Sequence, residues 1–279
     1  MNCEVVDIYD YYKIERCGAK GAYLTVYART ESAELKKRAR PAILIIPGGG
    51  YGMLSDREGE PVALKYLNNG FCPFVLSYSI KTAYPAPLLE AMLAVRYIRE
   101  NAEEYGIDKN KVSVIGFSAG GHLAGLLATL KEDEAELVGK TPDKIKPDAV
   151  ILSYPVATMG EYTHGGTRCH ITGGDKTLYD RLSLEKRVDK NAVPAFIWHT
   201  YEDNCVPVEN SLMLAAAYRN ANAPFALHIF EHGWHGLSLA DGETNDFNEE
   251  QNHLYNVGKW FELSLDWLKA RGFVTRISK

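Results

Sequence analysis

Apolar runs of strand length recur along most of the chain, with helix-like patterns between them. The runs cover residues 42–46, 72–78, 112–117, 149–154, 194–200 and 226–230. Between the second and third runs, one helical face carries Leu88, Ala91, Met92, Val95 and Ile98, within residues 87–105. Strands that are apolar throughout and separated by helices predict a mostly parallel, doubly wound α/β sheet with helices on both faces.

The remaining segments have different patterns. Residues 22–28 alternate between apolar and polar positions, which predicts antiparallel strands at one edge of the sheet. Residues 260–268 predict a closing amphipathic helix. Residues 159–190 lack a strand-like run and contain several glycines, which indicates a small lid insertion. Because no linker, charge block or repeat interrupts the chain, we expect one domain over residues 1–279.

Composition and charge narrow the class of protein. Of the 279 residues, 46% are hydrophobic and 24% are charged, as in ordinary globular proteins. A net charge of −5 with dispersed Lys and Arg disfavours nucleic acid and anionic membranes as partners, and favours a small neutral substrate. The first residues lack the pattern of a signal peptide, so we expect a cytoplasmic protein. Five irregularly spaced cysteines suit free thiols better than disulfides, and a homo-oligomer is left open.

A strand-to-helix motif provides a candidate nucleophile. Residues 116–120 read Gly-Phe-Ser-Ala-Gly and follow an apolar strand, and a helical run begins at Ala119. This is the context of the G-x-S-x-G nucleophile elbow, in which a sharp turn exposes the serine, here Ser118, at a helix N-terminus. A structural glycine turn is one alternative, and the uncharged stretch 112–130 also formally resembles a membrane helix. Its small and polar centre and the lack of basic flanks disfavour the membrane interpretation.

A glycine-rich loop follows the first apolar run. In Pro47-Gly-Gly-Gly-Tyr51, backbone N–H groups can approach a ligand oxygen closely. The loop can therefore donate two hydrogen bonds beside the N–H of Ala119. A phosphate-binding loop or a simple tight turn is the alternative. No Gly-Lys-Ser/Thr follows and the loop does not read G-x-G-x-x-G, which disfavours nucleotide binding.

A serine nucleophile needs a base, and the base needs a carboxylate that fixes its tautomer. Asp203 follows the fifth apolar run and His235 follows the sixth, so both are predicted at the sheet edge where such folds bind ligands. Glu202 and His232 are their neighbouring rivals, and Asp203 could instead cap a helix or form a turn. His122 lies one helical turn beyond the nucleophile, which predicts a packed or hydrogen-bonded side chain.

No metal or cofactor is expected from the sequence. His232 and His235 form one candidate ligand group, and His164, Cys169 and His170 form a second. Neither spacing is a recognised ligand signature, and solvated loop residues are the simpler interpretation. The serine mechanism also assigns every chemical role to a protein group.

Several short motifs resemble a known family. They are Pro47-Gly-Gly-Gly-Tyr51, Arg57-Glu-Gly-Glu-Pro61, Tyr78-Ser79, Gly116-Phe-Ser-Ala-Gly-Gly-His-Leu123, His199-Thr200 with Asp203 and Val206-Pro207, and His235-Gly236. Together they resemble the bacterial acetyl-esterase and acetyl xylan esterase-like branch of the α/β-hydrolases, which is related to hormone-sensitive-lipase-like esterases. The resemblance covers residues 41–268, with the motifs in family order.

This resemblance implies an α/β-hydrolase fold and a serine esterase. The implied triad is Ser118, Asp203 and His235, and the implied oxyanion donors are the backbone N–H groups of Gly49, Gly50 and Ala119. The lipase-like relatives begin the glycine loop with His, whereas this chain has Pro47. We therefore expect short acyl groups, above all acetyl, on a carbohydrate or a similar small polar alcohol.

Residues beside the motif loops are candidates for substrate binding. Tyr51, Tyr154 and Trp234 could stack on a sugar ring, or could pack the core. Arg57 could form hydrogen bonds around the pocket, or could pair structurally with the adjacent Glu58. Two other functions stay open at this point: a serine peptidase of the same fold, and a non-catalytic binding protein.

Overall fold

A single eight-stranded sheet organises the molecule. A computed structural model describes residues 2–17, 21–30, 34 and 38–273. The strands are β1 (Asn2–Asp7), β2 (Tyr23–Ala28), β3 (Arg40–Ile46), β4 (Cys72–Ser77), β5 (Ile107–Phe117), β6 (Ala149–Ser153), β7 (Ala195–Thr200) and β8 (Phe225–Phe230). Their order in the sheet is β1-β2-β4-β3-β5-β6-β7-β8. The pairs β1–β2 and β2–β4 are antiparallel and the other five pairs are parallel, which confirms the predicted sheet and its antiparallel edge.

The helices connect the strands and cover both faces of the sheet. They are α1 (Ile8–Tyr12), α2 (Glu60–Asn68), α3 (Ala86–Glu100), α4 (Ala119–Ala128), α5 (Glu132–Glu136), α6 (Pro142–Ile145), α7 (Gly165–Thr172), α8 (Leu178–Leu182), α9 (Leu184–Arg187), α10 (Glu209–Asn220) and α11 (Trp260–Ala270). Two 3₁₀ segments cover Asp56–Glu58 and Glu249–Lys259. In the described part of the chain, no helix is long and apolar enough to span a membrane.

Each central strand contributes to two separate buried clusters. Along β3, Ala42, Leu44 and Ile46 pack into one cluster, whereas Ile43 and Ile45 pack into the other. Helices α3, α4 and α10 contribute to the first cluster, and α2 and α11 to the second. A strand buried on both faces needs apolar side chains at every position, which explains the continuous apolar runs in the sequence.

Two predicted boundaries are wrong around β5. The strand begins at the buried Ile107, although the apolar run begins only at Val112, because residues 108–111 between them are polar and at least partly solvent-accessible. The preceding helix was expected over residues 87–105 but ends at Glu100. Its C-terminal turn leads into Gly106, which has a φ of +63° and accepts a hydrogen bond from Arg40 N, at the start of the neighbouring strand.

The predicted insertion over residues 159–190 consists mainly of three short helices, α7, α8 and α9. Its last helix packs on α4, where a Cβ atom added at Gly125 would lie 2.3 Å from Leu184 Cδ1. Its first part is fixed by the buried Asn210, which donates to the carbonyl of Tyr162 at 2.8 Å. A role of this segment as a lid stays a prediction.

Candidate active site

Ser118 lies in the strained turn between β5 and α4. Its backbone has a φ of +52° and a ψ of −116°, in the region that non-glycine residues rarely adopt. A Cβ atom added at Gly116 would lie 2.1 Å from the carbonyl oxygen of Gly120, and one added at Gly120 would lie 2.1 Å from that of Ile46. The two glycines of the motif therefore permit the close approach of strand and helix that the turn requires.

Two loops on the same edge of the sheet place Asp203 and His235 in line with Ser118. Asp203 follows β7 and His235 follows β8. The Ser118 hydroxyl lies 2.8 Å from His235 Nε2, and His235 Nδ1 lies 2.6 Å from Asp203 Oδ2. A carboxylate only accepts hydrogen bonds, so Nδ1 carries the proton and Nε2 of the neutral ring accepts from the serine. The structure thus brings the three predicted residues together in one hydrogen-bonded chain.

Asp203 is fixed by further hydrogen bonds. Its Oδ1 accepts from the backbone N–H groups of Cys205 and Val206, both at 2.9 Å, and its Oδ2 lies 3.3 Å from His199 Nε2. Burial raises the pKa of the Asp203 carboxyl, but the hydrogen bonds from His199 and His235 outweigh this effect and hold the pKa well below its usual range. The carboxylate is therefore ionised at neutral pH.

Glu202 and His232, the neighbouring alternatives to Asp203 and His235, pair with each other and take no part in the hydrogen bonds described above. Glu202 Oε1 lies 3.0 Å from His232 Nδ1, and Glu202 Oε2 accepts from the N–H of Gly233. Both side chains are about half exposed. His122 is buried, with hydrogen bonds to Tyr51 and to the carbonyl of Leu182, and its burial lowers its pKa to about 4. The prediction of a packed or hydrogen-bonded His122 is confirmed, and the structure shows in addition that this side chain joins α4 to the glycine loop and to the insertion.

The glycine loop lies beside Ser118. A Cβ atom added at Gly48 would lie 3.0 Å from Ser118 Cβ, and Gly49 and Gly50 have φ values of +121° and +64°. Among the described residues, no backbone or side-chain acceptor receives a hydrogen bond from the N–H groups of Gly49, Gly50 or Ala119. These are the three predicted oxyanion donors, and they are available to a ligand oxygen.

Two of the aromatic residues proposed for substrate stacking are corrected by the structure. Tyr51 has no exposed surface, because its ring packs edge-on against Tyr78 and its hydroxyl bonds to His122. Tyr154 is buried as well, against Trp198. Trp234 is 43% exposed, so it is the one of the three with a surface that a ligand can reach.

Arg57 does not form the expected pair with Glu58. Its guanidinium donates weakly to the carbonyl of Thr244 and to Asn245 Oδ1, both at 3.4 Å, and a Cβ atom added at Gly236 would lie 3.5 Å from its Nη2. Arg57 is exposed, so it stands at the rim of the site beside the loop that carries His235. Its role in substrate binding stays a prediction.

Sequence reasoning missed the histidines that join the insertion to the glycine loop. His170 Nδ1 donates to the carbonyl of Gly50 at 2.9 Å, and His164 Cε1 would lie 3.3 Å from a Cβ atom on Gly50. The sequence indicates these two histidines only as a candidate metal group with Cys169. Among the described residues, no group of three or more potential ligands could hold a metal ion. A spacing of six residues puts two side chains about 120° apart around a helix, so the sequence pattern alone does not indicate that both contact the loop.

Comparisons with known proteins identify the family of the chain. The BD-FAE family model matches residues 31–218. Endo-1,4-beta-xylanase B of Butyrivibrio fibrisolvens is 44% identical over 73% of the chain and 33% of its own length. An acetylxylan esterase of Xylanibacter ruminicola is 30% identical over 79% of the chain and 45% of its own length. The chain thus spans between a third and a half of these two curated relatives.

Solved structures resemble the chain over almost its full length. The acetyl ester-xyloside bifunctional hydrolase of Caldicellulosiruptor lactoaceticus has a TM-score of 0.83 and 34% identity, covering 98% of this chain and 97% of that one. A carboxylesterase of Lactobacillus plantarum has a TM-score of 0.84 and 27% identity, covering 99% of both chains. The family match includes Ser118 and Asp203 and ends before His235. The chain has the α/β-hydrolase fold and belongs to the BD-FAE family.

Proposed function

We propose that the protein is a serine carboxylic-ester hydrolase that uses Ser118, His235 and Asp203. The observation that carries the proposal is the continuous hydrogen-bonded chain from the Ser118 hydroxyl to the buried Asp203 carboxylate. Beside the serine lie N–H groups without an acceptor in the described structure, on the glycine loop and at the start of α4. A nucleophile, a base with a fixed tautomer and oxyanion donors are the groups that acyl transfer needs.

In the first half of the reaction, the Ser118 oxygen attacks the ester carbonyl carbon while its proton passes to His235 Nε2. The carbonyl oxygen becomes an oxyanion, and the N–H groups of Gly49, Gly50 and Ala119 stabilise it. The ionised Asp203 stabilises the imidazolium that forms on His235. When the tetrahedral intermediate collapses, the imidazolium gives its proton to the leaving alcohol and an acyl-enzyme remains on Ser118.

The second half repeats these roles with water. His235 removes a proton from a water molecule as its oxygen attacks the acyl carbon, and the same donors hold the new oxyanion. Collapse returns the proton from His235 to the oxygen of Ser118 and releases the carboxylic acid. The hydrogen bonds from Ser118 to His235 and from His235 to Asp203 support this assignment of roles.

We further propose short acyl groups on a carbohydrate or a similar polar alcohol as the substrate. The printed names of two relatives, an acetylxylan esterase and an acetyl ester-xyloside hydrolase, support this class. Trp234 adjoins His235 in the sequence and has an exposed indole, whose edge-to-face contact with Phe247 orients it. Such a ring can stack on a sugar next to the reacting ester.

An ester panel tests the reaction and the acyl group together. We expect kcat/KM for p-nitrophenyl esters to be highest from acetyl to butyryl and to fall for octanoyl and palmitoyl. A pocket built for long chains would instead gain about 0.8 kcal/mol for each buried methylene. The matched p-nitroanilide of the same acyl group should be hydrolysed far more slowly, since a peptidase would prefer it. A rising trend to octanoyl, or a preference for the anilide, would contradict the proposal.

The variant Trp234→Ala tests the alcohol side. We expect KM for acetylated xylo-oligosaccharides to rise about tenfold, because loss of one aromatic stacking partner removes up to about 1.5 kcal/mol. The kcat/KM for p-nitrophenyl acetate should stay near that of the parent. Tyr11→Ala is the control, since Tyr11 is similarly exposed at 45% but lies on α1. Equal changes with both substrates would show that Trp234 does not contact the sugar.

A further inference from the structure

A second buried carboxylate lies behind the site. Glu58 ends the 3₁₀ segment after the glycine loop and is only 3% exposed. Its Oε2 accepts from the N–H of Gly48 at 2.7 Å, and its Oε1 accepts from the Tyr154 hydroxyl at 2.6 Å. No cation pairs with it among the described residues, and the mechanism given above does not use it. Burying a carboxylate is costly unless hydrogen bonds compensate, and here both donors border the candidate site, Gly48 beside Ser118 and Tyr154 beside His235.

The Tyr154 hydroxyl extends this contact to the loop that carries the base. It accepts from the N–H of Ser238 at 3.0 Å, and the Ser238 hydroxyl donates back to the carbonyl of Arg57 at 2.6 Å. The Tyr154 ring meets the His235 ring edge-on, with centroids 5.0 Å apart. Tyr154 itself has a φ of +36°, a strained value that the surrounding contacts maintain. Glu58 therefore joins the glycine loop to the histidine loop.

The hydrogen bonds indicate that Glu58 is ionised. Both of its oxygens accept, one from a backbone N–H and one from the phenol. If the carboxyl were protonated and donated to Tyr154, the phenol proton would lose its acceptor, because the phenol oxygen already faces the N–H of Ser238. Burial raises the pKa of the Glu58 carboxyl above its usual value, although the hydrogen bonds from Tyr154 and Gly48 limit that increase.

We propose that Glu58 is a positioning residue of the esterase site. It fixes the glycine loop through Gly48 and the loop that carries His235 through Tyr154. Its negative charge stabilises the imidazolium that forms on His235 during catalysis. This inference rests on the proposed esterase function. Glu58 touches neither substrate nor reacting atoms, so its effect is carried by the two loops and by the field of its charge at His235.

Several other charged groups face the same region. His235 is hydrogen-bonded to Asp203 and interacts electrostatically with His164. Glu58 interacts electrostatically with Arg57 and with His235. Asp203 and Arg57 persist when Glu58 is changed, so the difference between parent and variant reports the charge of Glu58 together with its two hydrogen bonds.

The test compares Glu58→Gln with a matched buried glutamate. Glu90 on α3 is also fully buried and accepts from a backbone N–H, that of Ser79, and from a phenol, that of Tyr9. It contacts none of the residues assigned to the reaction. We expect Glu58→Gln to lower kcat about ten- to a hundredfold, the effect of losing hydrogen bonds to a charged group, with little change in KM. Glu90→Gln should lower only the melting temperature.

The pH profile separates positioning from simple damage. Removing a negative charge near His235 destabilises its protonated form, so the acid limb of the kcat/KM profile should move to lower pH in Glu58→Gln and stay in place in Glu90→Gln. Tyr154→Phe keeps the charge but removes the link to Ser238, and it should lower kcat by about tenfold. If Glu58→Gln does not fold, the kcat of Tyr154→Phe alone tests the proposal.

The proposal is overturned if both variants keep the kcat of the parent, or if Glu90→Gln reproduces the loss and the pH shift. The rate at which a fluorophosphonate labels Ser118 is measured in the same variants, because it reports the nucleophile, base and oxyanion donors without any choice of ester. A parent that is labelled but hydrolyses no ester refutes the proposed function. A parent that is active, with a Glu58→Gln variant labelled at the parent rate, refutes the role of Glu58.

Discussion

Replacing Ser118 by alanine is expected to lower kcat for ester hydrolysis by about a millionfold, since triad residues act as a unit and loss of the nucleophile removes the covalent path. The hydroxyl is already aligned with His235 Nε2, and no other serine shares that contact in the described structure. Slow residual hydrolysis by the oxyanion donors and bound water should survive. The measurement is kcat on p-nitrophenyl acetate with purified protein.

Ser113→Ala is the matched control for this variant. Ser113 is buried on β5, the strand that leads to Ser118, and its hydroxyl donates to the carbonyl of Ala42, so its loss tests a buried serine without touching the site. Circular dichroism and melting temperature should show both variants folded. A Ser118→Ala protein within tenfold of parent activity would place the nucleophile elsewhere, and continued labelling by a fluorophosphonate would lead to the same conclusion.

The second large effect is expected at Asp203. Asp203→Asn should lower kcat by about ten-thousandfold, because a neutral amide cannot hold His235 in the tautomer that accepts the serine proton, nor stabilise the imidazolium. Glu202→Gln, one residue earlier, should leave kcat almost unchanged, because Glu202 pairs with His232 near the surface. Steady-state kinetics on both proteins checks the ranking.

The same comparison applies to the base. His235→Ala should be as damaging as loss of the nucleophile, whereas His232→Ala removes only a half-exposed side chain and its bond to Glu202. Added imidazole should partly restore His235→Ala if the cavity admits it, and should not affect His232→Ala. The reverse ranking within either pair would exchange the assignments made here.

The sequence was most informative where local chemistry determines local structure. The glycines around Ser118 predict a tight turn in which a side chain at their positions would collide with the backbone. The apolar runs predict strands that are buried on both faces. Parallel strands end at one edge of a sheet, so residues that follow the ends of β7 and β8 could be placed near Ser118 without coordinates. The choice of Asp203 over Glu202 needed the same reasoning and agrees with the observed hydrogen bonds.

What the sequence did not reveal depends on contacts between distant segments. The hydrogen bond between Glu58 and Tyr154 joins residues 96 positions apart, and no pattern in either segment predicts the contact. The burial of Tyr51 follows from its bond to His122, on a different element. An aromatic residue beside a motif looks the same in the sequence whether it faces solvent or the core, so Trp234 and Tyr51 could only be separated by the fold.

The distribution of the proposed triad over three strand ends also affects how the protein is made. The contact between Ser118 and His235 closes a loop of 117 residues, so a large chain entropy must be lost before the nucleophile meets its base. On the ribosome, Ser118 and α4 emerge well before β8 is translated. We therefore expect the nascent chain to carry Ser118 without its proposed base, His235, until β8 joins the sheet.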